Sequence, residues 1–156
     1  MSASRGRANL DLEFDLVPEA PIPVGFSGEL ASELAGFVLR AEGESGAWSI
    51  AVALVTDDRM RILHRDFMSI DEPTDIMTFP AELPGAGGGD IVISVDRAAE
   101  QGPEHGNSAG RETLYLIAHG LLHLCGWDDA TPEERGAMLA RQQALIEAFE
   151  RERADR

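Results

Sequence analysis

The chain has 156 residues, 44% of them hydrophobic and 26% charged, with a formal net charge of -15. That size suits one domain with its own core, the composition excludes collagen, coiled coil and general disorder, and no apolar run approaches the roughly 20 residues needed to cross a bilayer. The acid excess repels phosphate backbones at long range and excludes sequence-independent coating of nucleic acid, although screening over about 8 Å leaves room for a local site.

Residues 1–8 carry Arg5 and Arg7 with no apolar segment behind them, so they read as a disordered arm rather than a secretory signal, and the expected compartment is the cytoplasm. Cys125 is the only cysteine and can close no intrachain disulfide, which agrees with a reducing environment. From Asn9 to Leu16, Leu10, Leu12, Phe14 and Leu16 alternate with Asp11, Glu13 and Asp15, the period of a half-buried strand. Pro18, Pro21, Pro23 and Gly25 break the chain before Ser27, an N-cap for a helix that presents Leu30, Leu34, Phe37 and Val38 on one stripe and stops near Gly43. Trp48 to Val55 is a nearly continuous apolar run, as in a central strand covered on both faces. Asp57 and Asp58 open a short helix with Met60, Leu63 and Phe67 inward, and Pro73 closes the next loop. Strands are expected over Thr74–Phe79 and Asp90–Val95, joined by a flexible connection containing Gly85, Gly87, Gly88 and Gly89.

Asp96 to Gln101 gives one or two helical turns, and residues 102–110 a polar loop in which His105 reads as solvated. The next helix carries Leu114, Ile117, Ala118, Leu121 and Leu122 around most of its circumference, which places it at the domain centre. Thr131-Pro132-Glu133-Glu134 supplies an N-cap, a first-turn proline and a capping-box acid; the last helix then presents Met138, Leu145, Ile146 and Phe149 and frays over residues 151–156. Residues 9–150 therefore read as a single α+β domain, a small mixed sheet of four strands packed with about five helices.

The central helix ends in the most informative stretch of the chain. His119 and His123, four apart, lie one above the other on one helix face, while Leu121, Leu122 and Leu124 point elsewhere. Gly126 stops the helix and lets the chain fold back to offer a third ligand from Asp128 or Asp129. Two neutral nitrogens and a carboxylate suit one zinc ion with an open fourth position. The same residues also fit half-buried helix histidines and caps for the helix after Thr131, but the glycine stop followed by two acids weighs toward the metal. A zinc metalloprotease would need a glutamate immediately after the first histidine, where this chain has Gly120, and a non-haem iron triad usually sits on a larger β scaffold. Cys125 reads as a small core residue on another helix face, His64 as a surface residue, and Trp48, Phe67 and Phe79 as core rather than stacking platforms.

Three segments together carry a family likeness. His119 to Asp129 resembles the signature of the YbeY endoribonuclease family, histidine-glycine-x-leucine-histidine-leucine-x-glycine-tyrosine-aspartate-histidine. Pro73-Thr74-Asp75-Ile76-Met77-Thr78-Phe79-Pro80 and Gly89-Asp90-Ile91-Val92-Ile93-Ser94 resemble its two strand motifs, in the same order, and the likeness spans roughly Trp48 to Phe149. Four positions differ: Asp129 stands where the family has a third histidine, Trp127 where it has tyrosine, Met68 where an arginine is common, and His64 where asparagine is usual.

The resemblance implies a zincin-like fold and one zinc ion per chain, held by His119, His123 and Asp129. It also implies cleavage of single-stranded ribosomal RNA, in maturation of the 16S 3′ end and in ribosome quality control. A water activated by the metal is the implied catalytic group, with Asp128, Asp75 and Glu112 as candidate helpers and Arg65 as a substitute for the charge missing at Met68. Two other outcomes stay open: a zinc metalloprotease, and a non-catalytic assembly factor with a structural metal, whose acidic surface would favour the ribosome or a basic ribosomal protein as partner.

Overall fold

A computed structural model of the chain describes residues 9–82 and 87–156; the expected arm over residues 1–8 and Gly85 of the glycine-rich connection lie outside the described residues. Four strands, β1 (Leu10–Pro18), β2 (Gly46–Val55), β3 (Ile76–Pro80) and β4 (Gly87–Ser94), form one sheet of order β1-β2-β4-β3. β1 and β4 run parallel to β2 on either side of it, and β3 is antiparallel to β4, so the sheet is mixed and the apolar β2 lies inside it. Five α-helices accompany it among the described residues: α1 (Gly28–Ala41), α2 (Asp57–Met68), α3 (Val95–Gln101), α4 (Ala109–Leu124) and α5 (Pro132–Ala154). The α+β expectation of four strands and five helices therefore holds. None of the described helices is long and apolar enough to cross a membrane.

The helix boundaries follow local chemistry. Ser27, Thr56, Ser94 and Ser108 each accept a hydrogen bond from the backbone N–H three residues on, satisfying a donor that the first turn leaves free. At α5 the Thr131 hydroxyl accepts from Glu134 N and the Glu134 carboxylate accepts from Thr131 N, a complete capping box. α5 continues through residues expected to fray, where Arg153 pairs with Glu33 of α1.

α4 occupies the centre, packed against α1, α3, α5 and the β3–β4 side of the sheet. Ile117, Ala118, Leu121 and Leu122 of α4 are fully buried with Leu34 and Val38 of α1, Ile91 and Ile93 of β4, and Met138 and Ile146 of α5. A smaller cluster of Val55, Met60, Met77 and Val92 lies beneath α2. Two expectations need correction. Phe67 points outward and is 64% exposed, its ring resting edge-on against Phe79. Gly87, Gly88 and Gly89 are not a linker but the start of β4, where a Cβ on Gly87 would lie 2.3 Å from the Trp48 indole and one on Gly88 2.0 Å from the Ser49 carbonyl oxygen.

Candidate metal centre

One cleft of about 1000 Å³ runs along α4, with β3, the end of α2 and the α3–α4 connection contributing to its walls. His119 and His123 line it, and Asp129 joins them from the segment after the helix. Donor atoms of the three residues lie within 4.8 Å of one another, a group that could hold a metal ion. Asp129 Oδ2 is 3.2 Å from His119 Nε2 and 3.3 Å from His123 Nε2. Tetrahedral zinc with bonds of about 2.1 Å separates its donors by about 3.4 Å, so these two spacings suit such an ion.

The helix stop creates this convergence. Gly126 takes a left-handed backbone with φ 102°, Gly126 N donates to the His123 carbonyl at 3.0 Å, and Trp127 N donates to the Leu122 carbonyl at 3.0 Å. This is a Schellman motif, which satisfies helix-end carbonyls and turns the chain back along the helix. Trp127 thereby brings its carbonyl to 3.0 Å from His123 Nδ1. Asp129 follows two residues later. Asp128 turns away, exposed, with its Oδ1 accepting from Asp129 N at 2.8 Å.

Partners on the far side of each ring decide where its proton sits. The Trp127 carbonyl can only accept, so His123 carries hydrogen on Nδ1. Gln142 of α5, 3% exposed, donates through Nε2 to the Tyr115 carbonyl at 3.0 Å, which turns its Oε1 toward His119 Nδ1 at 2.9 Å. His119 therefore also carries hydrogen on Nδ1. Both rings therefore turn Nε2 toward the Asp129 carboxylate, the atoms through which two neutral imidazoles and a carboxylate would hold a cation. The donor set fits the implied metal.

Sequence reasoning missed Gln142. It stands four residues after Met138 and three before Leu145, a polar residue inside the apolar stripe of α5, and that interruption was the available signal. Tyr115 and Gln143 also line the cleft, hydrogen-bonded to each other. Gly120 is a glycine for packing reasons as well as a missing base: a Cβ there would meet Ile91 at 3.0 Å and Ile76 at 3.2 Å, because α4 lies directly on the sheet.

The remaining candidates separate clearly. His64 and Met68 line the cleft, and His64 Nδ1 is 2.7 Å from the Glu72 carbonyl. Arg65 is instead paired with Asp66 on the surface, so it does not replace a cleft guanidinium. Among the described residues no lysine or arginine lines the cleft. Trp127 does more than pack, since its Nε1 donates to Glu42 at 2.7 Å. Cys125 is half-buried, and burial, aided by Glu44 and Glu42, pushes its thiol up to about 12, so it stays a thiol. Asp75 and Glu112 line the same cleft and share the Gln101 side-chain amide, at 3.1 and 3.0 Å. His105, expected to be solvated, contacts Glu112 at 3.0 Å.

Known proteins resemble the chain over most of its length. The family model described as Endoribonuclease YbeY matches residues 25–150. A Bacillus cereus protein named Endoribonuclease YbeY is 40% identical over 118 residues, covering 68% of this chain and 75% of the relative. One of the same name from Bacillus thuringiensis is 36% identical over 132 residues, 77% of this chain and 85% of that one. The solution structure of TM1509 from Thermotoga maritima superposes with a TM-score of 0.62 at 25% identity, covering 92% of this chain and 93% of that one. Matched over most of its length by the family model and by these relatives, the chain belongs to the YbeY endoribonuclease family.

Proposed function

We propose that the protein is a zinc-dependent endoribonuclease that cuts single-stranded ribosomal RNA in the cytoplasm, during rRNA maturation and ribosome quality control. The observation that carries this reading is the convergence of His119, His123 and Asp129 in the cleft of a chain whose relatives are named endoribonucleases. A bound divalent ion would supply Lewis acidity toward a phosphoryl oxygen and lower the pKa of water at its open position.

The chain's own residues prepare that site. Gln142 and the Trp127 carbonyl hold the two rings with Nε2 toward Asp129, so little reorganisation accompanies ion capture. Asp129 offsets one unit of the ion's charge and should leave the bound water more basic than a third histidine would. The exposed apolar residues Met68 and Leu139 that line the cleft suit the unpaired bases of a single flexible strand better than a rigid duplex. A protease reading is disfavoured by Gly120, which offers no carboxylate as general base and whose position is already tight, a Cβ there meeting Ile91 at 3.0 Å and Ile76 at 3.2 Å.

Purified protein should contain about one zinc per chain and should cut single-stranded RNA in preference to duplex, with loss of cleavage in chelator and in His119→Ala. Cleavage indifferent to both changes would refute the proposal, and cleavage of a peptide by the same preparation would favour the protease.

A further inference from the structure

We propose that His105, held by the buried Glu112, is a subsite for a second phosphate of the RNA strand, at a nucleotide next to the one being cut; this rests on the ribonuclease reading above. Glu112 is 2% exposed and accepts from Asn107 Nδ2 at 2.8 Å and from Gln101 Nε2 and His105 Nδ1, each at 3.0 Å. Only His105 among these donors can carry a charge that balances the buried carboxylate. Its bond to Glu112 runs through Nδ1, which leaves Nε2 for a ligand. The His105 side chain is 55% exposed and lines the same cleft as His119 and His123.

Position and charge identify the ligand. Glu112 and His119 are seven residues apart on α4, a rise of about 10 Å, too far for His105 to touch a phosphate held at the metal centre. An RNA strand in the cleft brings further phosphates, each calling for a cationic or N–H donor, yet no lysine or arginine lines the described walls. His64 is held by a backbone carbonyl, whereas His105 has a buried carboxylate behind it. With a phosphate oxygen on Nε2 and Glu112 on Nδ1, a ring protonated on both nitrogens sits between two anions. Asp75, the other acid of this wall, is tied to Gln101 and repels phosphate from its own side, which favours the His105 end.

Methylphosphonate scanning of the zinc-loaded enzyme tests this. A single-stranded oligoribonucleotide with one cleavage site is made with each linkage in turn replaced by a neutral methylphosphonate. In the wild type, neutralising one linkage away from the cut should raise KM about tenfold, the scale of one charge-assisted hydrogen bond. In His105→Gln, KM on the unmodified strand should rise by about the same tenfold while kcat stays within about twofold, that linkage should become insensitive, and His105→Lys should restore both the lower KM and the sensitivity at the same linkage. Equal sensitivity of wild type and His105→Gln at every linkage would overturn the subsite, as would a fall in kcat without a change in KM. If the zinc-loaded wild type cuts no RNA at all, the ribonuclease reading itself fails.

Discussion

Gln142 and His119 form a hydrogen bond whose direction is fixed from both ends: the Gln142 amide nitrogen is committed to the Tyr115 carbonyl at 3.0 Å, so its oxygen is the atom left for His119 Nδ1 at 2.9 Å. A residue of the last helix thus sets the tautomer of a donor on the central one. Removing such a partner typically lowers metal affinity by about 10–100-fold. Gln142→Ala should show that loss in a chelator competition, and it should also destabilise the fold by about 1–3 kcal/mol, because the Tyr115 carbonyl loses its buried donor. Gln142→Glu, which keeps an acceptor for His119, should keep more of the affinity than the alanine. Equal zinc affinity in Gln142→Ala and wild type would show that the bond does not matter to the metal.

The two adjacent acids should behave differently. Asp129 lies between the imidazoles, and Asp128 only supports it through its backbone N–H. Loss of one of three ligands in Asp129→Ala should weaken zinc binding at least about 100-fold, beyond the range for a supporting partner, while Asp128→Ala should stay within about 10-fold of wild type. Isothermal titration of both variants decides it, and the opposite ranking would transfer the ligand role to Asp128.

Gly120→Glu writes the metalloprotease pattern into this helix. Because Gly120 is buried and a Cβ there already meets Ile91 at 3.0 Å, the longer side chain must push Ile91 and Ile76 aside and bury a carboxylate. A loss of at least about 3 kcal/mol is expected, seen as a fall in melting temperature of about 10 °C, with no peptidase activity gained. A well-folded variant that cleaves peptides would contradict both the packing and the protease exclusion.

Arg111 of α4 and Glu150 of α5 form a two-pronged ion pair, both contacts at 2.8 Å. The hydrogen bond from Arg111 holds the Glu150 carboxyl below its ordinary value. A lowered folded pKa contributes stability above the unfolded carboxylate value, and that stability disappears as pH falls through the folded one. The pair is partly exposed, so Glu150→Gln should cost no more than about 1 kcal/mol at pH 7. Urea unfolding of the metal-free protein should show that difference shrinking below about pH 4. A constant difference at both pH values would assign the effect to packing.

Much of this was legible in residues whose neighbours are local in sequence. The alternation of Leu10 to Leu16, the caps at Ser27 and Thr131, and the His119–His123 pair before Gly126 rest on spacing alone, and each lies where that spacing put it. What stayed hidden depends on tertiary approach. Gln142 meets His119 from 23 residues away, and Trp127 reaches Glu42 from 85. Gly87 and Gly88 resembled a flexible linker because nothing in the sequence reveals that Trp48 and Ser49 of the neighbouring strand crowd them. The helical period puts Phe67 on the inner face but does not specify how far the sheet beneath that face extends, and the ring lies outward.

The most direct test is a zinc titration of chelator-stripped protein, following cleavage of single-stranded RNA in wild type, His119→Ala and Asp129→Ala. Wild-type activity should rise from near zero to a plateau at about one zinc per chain, and neither variant should reach that plateau at the same concentration. Full cleavage by the stripped wild type, or an unchanged titration in Asp129→Ala, would contradict a metal-dependent ribonuclease centred on these three residues.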